Sequence, residues 1–113
     1  MTISKDALLA ARFPEADVEL PTLDGTVRVR ALSRAEVFRV QKMKDVEESE
    51  RRILAFAMLD PVLTVAEVQR WQDASPAGEL EPVVDKIREL SGLTTQAEKE
   101  AVLDFRGEPD SGV

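Results

Sequence analysis

The residues best able to do chemistry in this chain are its charged ones, and they gather in a few places. Glu47, Glu48 and Glu50 stand beside Arg51 and Arg52, a grouping that could hold a metal ion or a phosphate. Paired carboxylates such as Glu79 and Glu81 could serve as general acid and base, which needs a cleft and shifted pKa values. Arg28 and Arg30 would project from the same face of a strand, where they could grip a carboxylate or an RNA strand. Each grouping has a plainer account. The acids from Asp45 to Glu50, and Glu79 with Glu81, fall where helices begin, and carboxylates there favour the helix dipole. Single-strand binding wants interleaved aromatic rings, and the chain has four Phe, one Trp and no Tyr. Arg28 and Arg30 therefore read as a solvent-facing ladder. Asp24-Gly25-Thr26 lacks the glycine-rich length of a phosphate cradle.

What is missing narrows the chemistry further. The sequence contains no His and no Cys, so it lacks the commonest general base, the commonest metal ligand and any thiolate nucleophile. The expectation is a protein that is not an enzyme and needs no cofactor and no metal. Fifteen Lys and Arg against 22 Asp and Glu leave a formal charge of −7, which phosphate backbones repel, so no nucleic-acid partner is expected. Between Met1 and Ala11 the only apolar patch, Ala7 to Ala11, is too short for a signal peptide, and the longest near-apolar run, Ile53 to Leu59, is far below the ~20 residues that span a bilayer. No membrane association is expected, and the cytoplasm is the default location.

At 113 residues, 43% of them hydrophobic, the chain suits one globular domain. Ser4 can cap a helix from about Lys5 to Arg12, ended by Phe13-Pro14, so residues 1–16 read as an N-terminal helical arm. Val18, Leu20, Val27, Val29 and Ala31 alternate with polar residues around Asp24-Gly25, which predicts a hairpin of Asp17–Leu20 and Thr26–Ala31 joined by a tight turn. Pro21 marks the first strand as an edge. Capping boxes at Ser33/Glu36, Thr64/Glu67 and Thr95/Glu98 open helices to about Lys44, Asp73 and Phe105. Another helix spans about Glu47 to Leu59, apolar all round in its second half and stopped by Asp60-Pro61. A further one spans about Glu79 to Ser91, with Pro82 in its first turn and Gly92 as its C-terminal cap. Residues 17–106 thus read as one domain, mainly α: a small N-terminal β-hairpin, then a compact bundle of four to five short helices. Residues 107–113 read as a flexible tail. Ile53, Leu54, Phe56, Met58, Val68, Val84, Ile87 and Leu90 are the expected core.

From Val18 to Arg106 the order of these short segments resembles a known family. Val18-Glu-Leu-Pro21, Gly25-Thr-Val-Arg-Val-Arg30 and Leu32-Ser-Arg-Ala-Glu-Val37 open the likeness. Glu50-Arg-Arg-Ile-Leu-Ala55, Leu59-Asp-Pro61, Trp71, Pro76-Ala-Gly-Glu-Leu80, Leu90-Ser-Gly92 and Phe105-Arg106 continue it. In order and spacing, over roughly four fifths of the chain, they are similar to small tail assembly chaperones of long-tailed bacteriophages and prophages of actinobacterial hosts. The segments are individually capping, turn or core chemistry; their succession carries the likeness.

That resemblance implies a non-catalytic protein of the host cytoplasm, absent from the mature virion. It would bind the long tape measure protein, keep it soluble and be released as the tail tube polymerises. It also implies that a longer, frameshifted form could meet the tail tube protein. A client of this kind calls for a surface apolar at its centre and acidic at its rim. Leu63, Val65 and Trp71, beside the Pro61 and Pro76 loops, are the first candidates for it, and Phe105 is the second. Unpaired edges of Asp17–Leu20 and Thr26–Ala31 predict self-association. The alternative from another class is an acidic phage-encoded adaptor or inhibitor of a single host protein.

Overall fold

The structure, a computed structural model, describes residues 1–93. The Thr95 capping box, the helix ending at Phe105 and the tail from Gly107 lie outside the described residues.

Alternation builds the first element pair as expected. β1 (Glu15–Leu20) and β2 (Gly25–Arg30) run antiparallel, with Val18 opposite Val27 and Ala16 opposite Val29. β1 starts two residues earlier than the alternation alone indicates, because Glu15 and Ala16 pair with Arg30 and Val29. The connection is not the tight Asp-Gly turn. Pro21 fixes its own φ and starts a single 3-10 turn, Pro21–Leu23, and Asp24 follows with φ 53° before Gly25 enters the strand. Asp tolerates that left-handed conformation better than most side chains.

A third strand, absent from the sequence reading, completes the sheet. The helix expected to reach Leu59 ends at Ala57, and β3 (Met58–Asp60) pairs antiparallel with β2, Val29 opposite Met58 and Arg28 opposite Asp60. The residue before a proline is pushed out of helical angles, so Pro61 extends the chain just where β2 offers a free edge. Sheet order is β1-β2-β3, which leaves β1 at one margin, as Pro21 indicates, and puts β2 in the middle. The expected open edge on Thr26–Ala31 is therefore already paired at Arg28 and Val29.

Helices cover one face of this sheet. α2 (Arg34–Gln41) and α4 (Val65–Ala74) begin at complete capping boxes, Ser33 with Glu36 and Thr64 with Glu67. α3 (Val46–Ala57) is capped by Asp45, whose carboxylate accepts from the Glu47 amide at 3.0 Å. α5 (Glu81–Leu90) begins two residues after the expected start, because Glu79 is held in a turn to the Pro76 carbonyl. It ends in a Schellman motif: Gly92 has φ 84°, Leu93 donates to the Arg88 carbonyl, and Gly92 donates to that of Glu89. The Ser91 hydroxyl donates to the Ile87 carbonyl and accepts from the Leu32 amide at 2.8 Å, fastening the end of α5 to the exit of β2.

Val18, Leu20, Val27 and Val29 of the sheet pack on Leu54 and Ala57 of α3, Val68 of α4, and Val83 and Ile87 of α5. Of the expected core, Ile53, Leu54, Met58, Val68, Val84 and Ile87 are buried, while Phe56 and Leu90 close its margin half-buried. α2 contributes no fully buried residue and stops at Gln41, short of Lys44; Val37 and Val40 lean on the core and Phe38 lies exposed beneath Arg34.

α1 (Lys5–Leu9) stands apart. It is capped by Ser4 and ends at Leu9, not Arg12, with Ala10 already extended and the Arg12 guanidinium folded back onto the carbonyls of Ala7, Leu8 and Ala10. None of its residues is buried.

Candidate partner-binding surface

α4 positions two of the candidate residues, and its register decides what they share. Val65, Val68 and Trp71 recur every three residues, so at 3.6 residues per turn Val65 and Trp71 lie about 60° to either side of Val68. Val68 is fully buried, and its two neighbours are half-buried flanks of one stripe. Trp71 is also committed inward. It packs on the core, and its indole N–H donates to Glu79 Oε2 at 2.7 Å. Glu79 accepts on its other oxygen from the Thr22 hydroxyl, so one carboxylate joins α4 to the β1–β2 connection. Those two donors, Thr22 first and Trp71 second, hold the Glu79 carboxyl below its ordinary pKa. Leu63 is half-buried against the core, and the exposed apolar residue of this corner is its neighbour Val62, 74% accessible. The structure thus brings Leu63, Val65 and Trp71 to the rim of the core, with Val62 outermost. Phe105 lies outside the described residues.

The role of Glu79 was missed in the sequence, though a signal existed: a half-buried indole N–H wants an acceptor, and Glu79 follows Trp71 by eight residues. The acidic group of α3 is likewise engaged. Glu50 accepts from Gln72 Nε2 at 2.8 Å, and the Gln72 carbonyl accepts from Arg51 Nε at 2.9 Å, so Gln72 locks α4 to α3. Glu47 and Glu48 make long i,i+4 pairs with Arg51 and Arg52. Among the described residues no three acidic side chains converge into a group that could hold a metal ion.

Arg28 forms the solvent-facing cross-strand ladder expected of the strand arginines, whereas Arg30 does not: it is half-buried and turns to α2. Arg28 reaches Asp17 and Glu15, both at 2.9 Å, and these bonds, Asp17 first, raise its pKa. Arg30 is more than a surface charge. It makes a bidentate pair with Glu36, donates to the Ala31 carbonyl and stacks 5.0 Å from the Phe13 ring centroid. Glu36 also accepts from the Ser33 amide. Its carboxyl is held below the ordinary value, chiefly by Arg30, against the opposing cost of burial.

The larger apolar exposure lies elsewhere, on the arm. Ile3 and Leu9 are each 74% accessible and Leu8 is 58%. The signal was present in Ala7-Leu8-Leu9-Ala10-Ala11, a patch too short for targeting but apolar enough to need a cover. No helix among the described residues is long and apolar enough to cross a membrane.

Comparison with protein-family models, curated proteins and solved structures gives no match to this chain.

Proposed function

We propose that this protein is a non-catalytic assembly chaperone of the phage-tail type, covering apolar faces of a long helical client, the tape measure protein, in the host cytoplasm. The observation that carries the reading is the pairing of exposed apolar side chains with an acidic body. Val62 on the α4 corner and Ile3, Leu8 and Leu9 on the arm face outward on a chain of charge −7. Exposed apolar groups can take up a client's own apolar stripe, and net negative charge keeps the resulting assembly soluble. The ordered resemblance from Val18 to Arg106 supports the same reading.

The mechanism needs no bond chemistry. Small apolar contacts, repeated along a long client, hold by number while each remains weak enough for polymerising tail tube protein to displace. The chaperone is then absent from the finished virion, and a frameshifted longer form would supply the contact with tube protein. The rim of Leu63, Val65 and Trp71 is the ordered platform at the α4 corner, with Val62 as its contact residue.

Co-expression with a phage tape measure protein tests the reading. Wild type should carry the tape measure into the soluble fraction, and moderate salt should weaken the complex far less than the decades typical of phosphate binders. A tape measure that stays insoluble would end the chaperone reading and leave the host-protein adaptor. A Val62→Asp variant should reduce recovery while folding normally; unchanged recovery would reject the α4 corner alone.

A further inference from the structure

The segment between β2 and α3 is built differently from the rest of the body. No residue from Ser33 to Asp45 is buried, although the segment is fixed at both ends. On one side Leu32 is buried and its amide donates to the Ser91 hydroxyl; on the other Asp45 caps α3. α2 lies in between with eight residues, and isolated helices below about 12–15 residues are marginal in water. It leans chiefly on α3, and the half-buried Val37 and Val40 are its apolar contacts with the core.

The polar attachment of α2 is concentrated in one side chain. Among the described residues the only ion pair between α2 and another element is Arg30–Glu36, made through both carboxylate oxygens at 3.0 and 2.9 Å. The same carboxylate is half of the capping box, and its Oε1 also accepts from the Ser33 amide at 2.9 Å. One group therefore starts the helix and ties it to the sheet. The neighbouring charges are engaged elsewhere. Glu15 of β1, opposite Arg30 in the register, is held by Arg28; Arg12 of the arm is turned to its own carbonyls; Arg34 of α2 lies over Phe38. Among the described residues α3 makes no ion pair with Glu36.

We propose that α2 is a hinged flap with the Glu36 carboxylate as its latch: when Glu36 and Arg30 part, residues 33–45 swing out as one unit while the sheet and α3, α4 and α5 stay folded. Leu32 and Asp45 are the two pivots. Opening bares the side of the core on which Val37 and Val40 lean, so the molecule holds a covered apolar surface besides its exposed ones. The inference is independent of the client. Acid releases the latch. The folded carboxyl titrates below its unfolded value, so the latch is complete above the ordinary glutamate pKa of about 4.3 and is lost as pH falls from there towards the folded value.

Native-state hydrogen exchange on the full chain reads the flap. In wild type at neutral pH the amides of Val37 and Val40, within α2, should exchange with one common opening free energy. It should lie below that of the α3 amides around Leu54 and depend little on urea, because a local opening exposes little surface. Glu36→Gln should speed both α2 amides by the same factor, about tenfold or more. Arg30→Gln breaks the latch from the sheet side with Ser33 and Glu36 in place, and it should do the same. Val37 and Val40 amides that exchange in wild type only together with those around Leu54 would overturn the proposal. So would unequal factors for the two amides, which mean fraying. Acceleration by Glu36→Gln alone would also overturn it, since that assigns the effect to the capping box. Should either variant fail to fold, the wild-type urea series decides.

Discussion

Leucine means opposite things in the arm and in the body. Leu54 in α3 is wholly enclosed by the sheet and α5, whereas Leu8 and Leu9, in a helix built from equally good formers, face solvent. Polar groups divide the same way. In the body, Arg30, Glu36, Trp71 and Glu79 each have several partners and join separate elements; in the arm, the polar contacts of Ser4 and Arg12 serve only the arm's own helix. The difference teaches that parts of a short chain need not share equally in its stability: side chains of the body are enclosed or paired across elements, whereas those of the arm serve the arm alone.

The largest test of that division is truncation on either side of it. Leu54→Ala should cost ~2–5 kcal/mol in urea unfolding, as deletion of an enclosed leucine does. Ile87→Ala should fall in the same range, because Ile87 is fully buried and belongs to the core, not to an interface.

Next is the Arg30–Glu36 pair, whose side chains are 20% and 14% accessible. Glu36→Gln should cost about 1.5–3 kcal/mol at neutral pH, the range for hydrogen bonds to charged groups. The pH dependence has a defined sign. The folded carboxyl titrates below its unfolded value, so its contribution is complete above the ordinary glutamate pKa of about 4.3 and is lost as pH falls through that value towards the folded one. Unfolding curves from pH 7 down to pH 3 should show wild type losing this increment while Glu36→Gln, already without it, stays flatter. Parallel curves would remove the pair from the stability of the body.

Trp71→Phe is gentler. It keeps a ring against the core and removes the N–H that Glu79 accepts, and it should cost ~1 kcal/mol by far-UV circular dichroism. A cost near zero would mean that Trp71 is free to serve a partner, which would blur the line between body and binding surface.

These particulars also show what was legible beforehand. Both capping boxes within residues 1–93, the Gly92 cap, the strand alternation and most of the core follow from local chemistry, because each signal sits within a few residues of the element it shapes. β3 was not legible. Met58-Leu59-Asp60 continues an apolar helical run, and only pairing with β2, some 30 residues earlier, turns it into a strand. The candidate site was read half-way: Val65 and Trp71 do lie at the edge of the core, but that Trp71 is tied to Glu79 and Thr22 depends on contacts between elements. The arm was misjudged in length because Arg12, read as the last helical residue, acts through its side chain as the cap.

Smallest of all should be the arm's share in stability. Leu9→Ala should shift the unfolding free energy by no more than about 0.5 kcal/mol, as surface substitutions do. Native-state hydrogen exchange on the unaltered chain, dilute enough to be monomeric by sedimentation, examines the same division most directly. The amides of Leu8 and Ala10, bonded to the Ser4 and Asp6 carbonyls, should exchange with little protection, while those of α3 around Leu54 should require global unfolding. Arm amides protected to the same free energy as the α3 amides, independent of concentration, would contradict the separation of a stable body from an exposed arm.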